Sequence, residues 1–466
     1  MVVVLAAWPA WLRGGTHAPW TRPLLWLGLM ALALLVFLSW RRRIRPTDGP
    51  DPAAPRAAFL AWRDPVFWMG SALMILLAVQ WWNSGRVLFY DSAARAWTYS
   101  APPHAGWPSA ITTAEARQML DWFLPAWVIL LALRSPGLTT RGARLVWRLL
   151  AFNAGLLALF GIVQYLTGTT RMYGLVQMRP HFFASFGYPN HAGSYFMLTM
   201  CMSAGLLAHE AATDGVRPRW GRRIGLGAVF FLSFVGSNLS LSRLAVILSW
   251  LLLLPLAALF ARSLWPRLAP VRRLQVVMGS LAVVTLAALL TLGLAREAIR
   301  KEFVPEQDNK TFMDRETSFR WFQMQSAVRI WRDHPWCGVG GWGYRYLIGH
   351  YVPPTMWRKI TEGKANVHND ALQFLAEFGL WGAGAMGGIL VVLLAGVHRV
   401  RAGYPPLFAA PLVGVGLVGL QSLIDLPFRS PAVLSLWLIL LAGLPRVMGL
   451  PRREPVLPPA VRPQIS

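Results

Sequence analysis

The chain has 466 residues, 55% of them hydrophobic, with 24 Trp and a mean hydropathy of +0.44, which excludes an ordinary soluble domain and indicates an integral membrane protein. Two cysteines, Cys201 and Cys337, offer neither a disulfide framework nor a metal-ligand spacing, and leave the redox compartment undetermined. The net charge of +25 invites a nucleic-acid reading, so its distribution along the chain decides what it means.

The opening VVVLAAWPAWL is too short to span a bilayer. It predicts an interfacial segment or an eroded twelfth helix, and it lacks the basic leader of a signal peptide. Eleven longer apolar runs follow, near 24–40, 66–82, 119–133, 146–166, 192–208, 224–241, 244–261, 274–295, 371–396, 406–424 and 431–449. Each approaches the roughly 20 residues that a spanning helix needs.

Segments 41–65, 134–148, 209–223, 262–273, 397–405 and 446–466 hold 24 of the 45 Lys and Arg. By the positive-inside rule these loops are cytoplasmic, so 83–118, 167–191, 296–368 and 425–430 face the other side. Topology thus accounts for the arginines, and no nucleic-acid partner is expected. The fold class is all-α, a polytopic transmembrane helical bundle of about 11–12 helices whose solvent is membrane lipid. Residues 1–295 form the N-terminal helices, 296–368 a large outer loop, 369–449 the C-terminal helices and 450–466 a cytoplasmic tail.

The outer loop carries 12 Lys and Arg against 8 Asp and Glu, and it has structure of its own. In SFRWFQMQSAVRIWRDHP, Trp321, Met324, Val328 and Trp331 recur as the apolar stripe of an amphipathic helix, with Arg320, Arg329 and Arg332 off the stripe. Such a helix would rest its Trp face on lipid or on the bundle. CGVGGWGYRY then spells GxGxxG through Gly338, Gly340 and Gly343. A dinucleotide site requires a strand before and a helix after the motif in a βαβ unit, so the glycines instead predict a tight turn that folds the loop over the membrane surface. Amides exposed there are a secondary candidate for holding an anion.

NVHNDALQFLAEFGLWG begins the next span. Asn366, Asp370, Gln373 and Glu377 share one helical stripe, and Asn369 or Asp370 is the natural N-cap. Glu377 lies two turns below Asp370, roughly 10 Å into the membrane at 1.5 Å per residue. A charge at that depth costs several kcal/mol unless it faces protein or water, so Glu377 must point inward and have a partner. Gly379, Gly382, Gly384, Gly387 and Gly388 predict close helix contacts. His368 precedes the helix, whose positive dipole end favours the neutral imidazole that a general base requires. On the same membrane face lie Arg243 in GSNLSLSRLAVI and Arg171 and Arg179 before FGYPNHAGSY. Planar guanidinium forks suit phosphate oxygens, so several arginines beside one neutral His predict a site that holds pyrophosphate while a base activates a hydroxyl.

These residues carry a resemblance. FGYPNHAGSYF, LSLSRLA, the stretch from Arg320 to Ala327 followed by HPWCGVGGWGY, VHNDALQFLAEFGLWG and DLPFRSPA occur in the order found in the O-antigen ligase/polymerase superfamily of bacterial membrane glycosyltransferases. The likeness runs from about residue 150 onward and leaves the N-terminal third unmatched. It implies a GT-C-like fold in the bacterial inner membrane and an inverting, metal-independent transferase that uses no cofactor and faces the periplasm. The donor would be a glycan on undecaprenyl pyrophosphate, and the acceptor lipid A core or another glycan. By motif, His368 would take the acceptor proton, and Arg243 and Arg320 would bind the pyrophosphate. Asn190, Asn369, Asp370, Glu377, Asp425, Arg171 and Arg179 are supporting candidates.

Within that superfamily, lipopolysaccharide O-antigen ligase is favoured over polymerase and over protein O-oligosaccharyltransferase, on the single His with two arginines. Of other classes, a lipid-linked glycan transporter would show internal repeats and midplane binding groups, whereas the candidates here gather at one membrane face. A non-enzymatic scaffold would leave His368 and Glu377 as structural hydrogen-bonding groups.

Overall fold

The computed structural model describes residues 1–44, 61–178, 182–213, 219–264, 309–353, 365–400 and 409–449 apart from 94 and 136, with scattered residues between 270 and 293. Its helices, in chain order, are α1 (Val2–Trp11), α2 (Ala18–Ile44), α3 (Pro65–Trp82), α4 (Thr113–Arg134), α5 (Thr140–Leu166), α6 (Pro189–Thr213), α7 (Trp220–Leu239), α8 (Arg243–Leu264), α9 (Asn309–Asp333), α10 (Tyr344–Tyr351), α11 (Asp370–Val400), α12 (Ala409–Gln421) and α13 (Pro431–Met448). Two small antiparallel hairpins, β1 (Leu88–Asp91) with β2 (Ala96–Tyr99) and β3 (Arg171–Met172) with β4 (Val176–Gln177), sit in the connections. The protein is all-α and polytopic: among the described residues, seven helices are long and apolar enough to cross a membrane. Ten of the eleven apolar runs coincide with helices, and the run at 274–295 lies largely outside the described residues.

Local chemistry sets the helix starts. Asp64 caps α3 by accepting from the Val66 amide at 3.0 Å, with Pro65 in the first turn, and Thr139 caps α5 by accepting from Gly142 at 3.1 Å. Asp64 also pairs with Arg134 at the far end of α4 at 2.6 Å, which ties two ends on one face of the bundle. The apolar window of α4 is 94% buried, while those of α2 and α8 are each 22% buried. α4 therefore runs through the centre, and α2 and α8 present apolar faces outward, as lipid contact requires.

The opening segment differs from an interfacial strip. α1 places Leu5, Ala6 and Ala10 in the main core, against α4, α5 and α13. Its brevity is compensated by burial on the neighbouring helices. The segment between α8 and α11 contributes to a second, smaller core: Ala327 and Ile330 of α9, Tyr344, Leu347 and Ile348 of α10, and Val367 before α11 are buried together with Ile111 and Ala376. The buried face of α9 nevertheless differs from the expected stripe. Gln323, Ser326, Ala327 and Ile330 point inward, while Trp321 is 61% exposed. Two polar residues on the inward face shift the apolar signal by about one position.

Candidate functional site

The N-terminus of α11 presents His368. Asn369 is the cap: its Oδ1 accepts from the Leu372 amide at 2.9 Å. Its Nδ2 donates to the Leu423 carbonyl at 2.9 Å, and the Asp370 amide donates to the Ser422 carbonyl at 2.8 Å. The Val367 amide donates to Gln373 Oε1 at 3.1 Å. Held on both sides, His368 adopts φ +53°, a left-handed conformation rare for residues other than Gly and tolerated by His when its surroundings over-determine it. Its side chain is half-buried, and its Nδ1 faces Asp425 Oδ1 at 3.8 Å, an ion-pair distance too long for a hydrogen bond.

Asp425 lies in the short connection between α12 and α13 and joins a chain of polar groups. Tyr188 donates its hydroxyl to Asp425 Oδ1 at 3.2 Å, and Asn190 Nδ2 donates to the Tyr188 oxygen at 3.0 Å. Burial alone would raise the Asp425 carboxyl, but the His368 ring, the Leu426 amide and the charge of His191 together hold it below its ordinary value. Burial, then the negative charge of Asp425, raises the Tyr188 phenol well above its usual value, so the hydroxyl keeps its proton and remains a donor. His191 Nε2 lies 3.0 Å from the Leu426 carbonyl and braces the same connection from α6.

Glu377 points inward and has the partner its depth demands. Arg429 Nη2 donates to Glu377 Oε2 at 2.7 Å, and Gln373 Nε2 donates to Glu377 Oε1 at 2.9 Å. Arg429 Nε is 3.9 Å from Asp370 Oδ1, and the guanidinium lies over the Trp342 and Phe374 rings at 4.6 and 4.7 Å. Asp370 is not the cap: its Oδ2 accepts from the Phe428 amide at 2.9 Å, pinning the Asp425–Arg429 connection to α11. Sequence reasoning missed Arg429. The signal was available, since Arg429 is the cation of the DLPFRSPA segment and Glu377 required one.

The remaining candidates divide. Arg320 is half-buried on α9, and its charge opposes the upward shift of the Tyr188 phenol, which brings it within electrostatic reach of the chain from Tyr188 to His368. Arg243 opens α8. The turn before it packs on α6 at Gly193, where a Cβ would lie 2.3 Å from Ala245 Cβ and 3.1 Å from Ser240 Oγ, so Arg243 stands beside the helix turn that carries Asn190. Arg171 is exposed on the β3–β4 hairpin, and among the described contacts none joins it to the His368 cluster. Arg179 lies outside the described residues. No group of three or more His, Cys, Asp and Glu among the described residues is arranged to hold a metal ion.

The glycine turn has a different seat from the expected one. α11 is broken at Gly379, with φ +61° and ψ −166°, which frees two carbonyls and two amides inside the helix. Val339 and Gly340 donate their amides to the Ala376 and Glu377 carbonyls at 3.1 and 2.8 Å, while Leu380 and Trp381 donate to Pro335 and Trp336 at 2.8 and 3.0 Å. The turn thus replaces the missing helical bonds, satisfying groups that would be costly to leave unpaired. The Val339 and Gly340 amides are thus committed to the helix. Gly338 has φ +67°, and a Cβ there would sit 2.3 Å from the Glu377 carbonyl carbon. Of the α11 glycines, Gly382 and Gly388 admit Leu76 and Met69 of α3, whereas Gly384 and Gly387 meet nothing within 4 Å.

Residues 228–387 match the family model described as O-antigen ligase. That stretch contains Arg243, Arg320, His368, Asn369, Asp370 and Glu377, and it ends before Asp425 and Arg429. No curated protein matches the chain.

Proposed function

We propose that this chain is a member of the O-antigen ligase superfamily, whose model it matches over residues 228–387, and that it transfers a glycan from undecaprenyl pyrophosphate to a hydroxyl of lipid A core at the periplasmic face of the bacterial inner membrane. The family carries glycan transfer of the ligase and polymerase type. The finer reading rests on one observation above the others: a His at the lip of a span, fixed in a left-handed turn, with a buried carboxylate on its Nδ1 side.

In the proposed step, His368 Nε2 takes the proton of the acceptor hydroxyl as its oxygen bonds to the anomeric carbon of the donor sugar. The bond from that carbon to the pyrophosphate oxygen breaks, and undecaprenyl pyrophosphate departs with the bonding electrons. A single displacement inverts the anomeric configuration. Asp425, at ion-pair distance on the Nδ1 side, stabilises the imidazolium that forms, the electrostatic part a carboxylate plays behind a catalytic His. Arg243 and Arg320 hold the pyrophosphate and balance the charge that grows on it. Glu377, Asp370 and Arg429 fix the two connections on which His368 and Asp425 stand.

The test is reconstitution of the purified protein with a labelled polyprenyl-pyrophosphate glycan, with lipid A core and excess donor as competing acceptors. Label on lipid A core, lost in a folded His368→Ala variant, is expected. Lengthened donor would make the protein a polymerase, label on a protein acceptor an oligosaccharyltransferase, and no transfer to any acceptor would overturn the enzymatic reading.

A further inference from the structure

The N-terminal element, which carries no motif, reaches the site. Arg13, Gly14 and Gly15 take φ +56°, +65° and +79°, three consecutive left-handed residues between α1 and α2. Two of them are glycines for want of space: a Cβ at Gly14 would lie 2.7 Å from the Phe186 ring and 3.0 Å from Ser430 Oγ, and one at Gly15 would lie 2.8 Å from Pro431. Ser430 donates its hydroxyl to the Gly14 carbonyl at 2.7 Å, Gln118 Nε2 donates to the Thr16 carbonyl at 3.2 Å, and Thr16 Oγ1 closes the turn on the Arg13 carbonyl at 2.8 Å. The turn is therefore clamped between the two connections that build the site, Phe183–Asn190 on one side and Asp425–Pro431 on the other.

For Arg13 this geometry is strained, because a side chain in the left-handed region costs free energy that surrounding contacts must offset. The result is a half-buried guanidinium laid against Gly187, whose missing Cβ would be 3.8 Å from Arg13 Nη2 and 4.0 Å from Nε. Gly187 immediately precedes Tyr188, the donor to Asp425. A planar cation is thus brought beside Gly187, the residue next to the His368 chain.

We propose that Arg13 is a further phosphate-binding residue of the site. It grips a phosphate oxygen of the substrate with its guanidinium fork while Arg243 and Arg320 act on the leaving group. The inference rests on the glycan-transfer reading above. Two substrates can supply that phosphate, the pyrophosphate of the lipid-linked donor and the phosphates of lipid A core, and the donor is the expected source because the Arg13 turn packs on the same two connections as Asp425 and Tyr188.

The test is equilibrium binding of labelled undecaprenyl pyrophosphate, and separately of phosphorylated lipid A core, to the full-length protein in detergent. Arg13→Asn keeps a residue that tolerates the left-handed turn and removes the charge, and Arg13→Lys keeps the charge and removes the fork. A Kd for undecaprenyl pyrophosphate raised about tenfold or more in Arg13→Asn, partly restored in Arg13→Lys, is the expected result for a charge-assisted hydrogen bond. A rise confined to lipid A core would assign the phosphate to the acceptor. Both values within twofold of wild type in folded Arg13→Asn would overturn the proposal and leave Arg13 a structural turn residue. Wild type binding neither lipid would overturn the function itself, and Arg13's share with it.

Discussion

Replacing Glu377 by Gln removes one half of a fully buried ion pair. The Glu377 side chain is 0% exposed and that of Arg429 3%, so the guanidinium left behind cannot recover water. Breaking such a pair by deleting one partner costs about 3–5 kcal/mol. Here Arg429 keeps Asp370 at 3.9 Å and two aromatic faces at 4.6 and 4.7 Å, and a desolvated cation–π contact is worth up to about 2 kcal/mol, so the expected loss is at the lower end, about 3 kcal/mol. Arg429→Met should cost at least as much, because it leaves Glu377 and Asp370 facing one another without a cation. The double variant Glu377→Gln with Arg429→Met should lose clearly less than the sum of the two, with a coupling of about 2 kcal/mol. Unfolding by denaturant in detergent micelles, followed by tryptophan fluorescence, measures all three. Single variants within about 0.5 kcal/mol of wild type, or strict additivity, would refute the assignment of Glu377 and Arg429 as a pair.

Other expectations follow from the same geometry. His368→Asn should fold like wild type, since Asn tolerates φ near +53°, yet lose transfer by about 10²–10⁴ if His368 is the base; steady-state rates at saturating donor decide it. Asp425→Asn should lower transfer by about tenfold or more with little change in donor Kd, and equal loss in both would deny Asp425 its role in stabilising the imidazolium. Because the Asp425 carboxyl is held below its ordinary value, its stabilisation is complete above about pH 4 and is lost as pH falls through the lower folded value. The stability difference between wild type and Asp425→Asn should therefore shrink as pH falls below about 4, as melting temperatures across pH would show. Gly338→Ala should destabilise by roughly 1–3 kcal/mol or more through φ +67° and the clash with the Glu377 carbonyl, whereas Gly349→Ala, whose Cβ meets nothing within 4 Å, should be neutral or slightly stabilising. Thermal unfolding of the pair separates the two cases.

The spans were legible because a helix in lipid must satisfy its own backbone bonds and therefore shows as an apolar run; ten of eleven runs coincide with helices. Glu377's inward direction followed from the cost of burying charge, but its partner did not, because Arg429 meets it only through tertiary packing 52 residues on. The same holds for Tyr188 and Asp425, which are 237 residues apart. His368 and its cap were readable from local helix chemistry, although the choice between Asn369 and Asp370 was settled by what each side chain reaches beyond the helix. The inward face of α9 was hidden by Gln323 and Ser326, since polar residues on a buried face carry no apolar period. The opening segment was legible only as an interfacial strip or an eroded twelfth helix: ten residues are too few to span, and nothing local says that α1 packs on α4, α5 and α13.

The break at Gly379 also governs where this chain can change in length. Pro335 to Gly340 and Ala376 to Trp381 are spliced by four backbone bonds whose donors and acceptors alternate between the strips. Adding or deleting one residue in either strip would slide every donor past its acceptor at once, in the way a frame error corrupts all that follows it. Drift in the segment between α8 and α11, and any tag or reporter placed there, is therefore confined to positions outside these two strips.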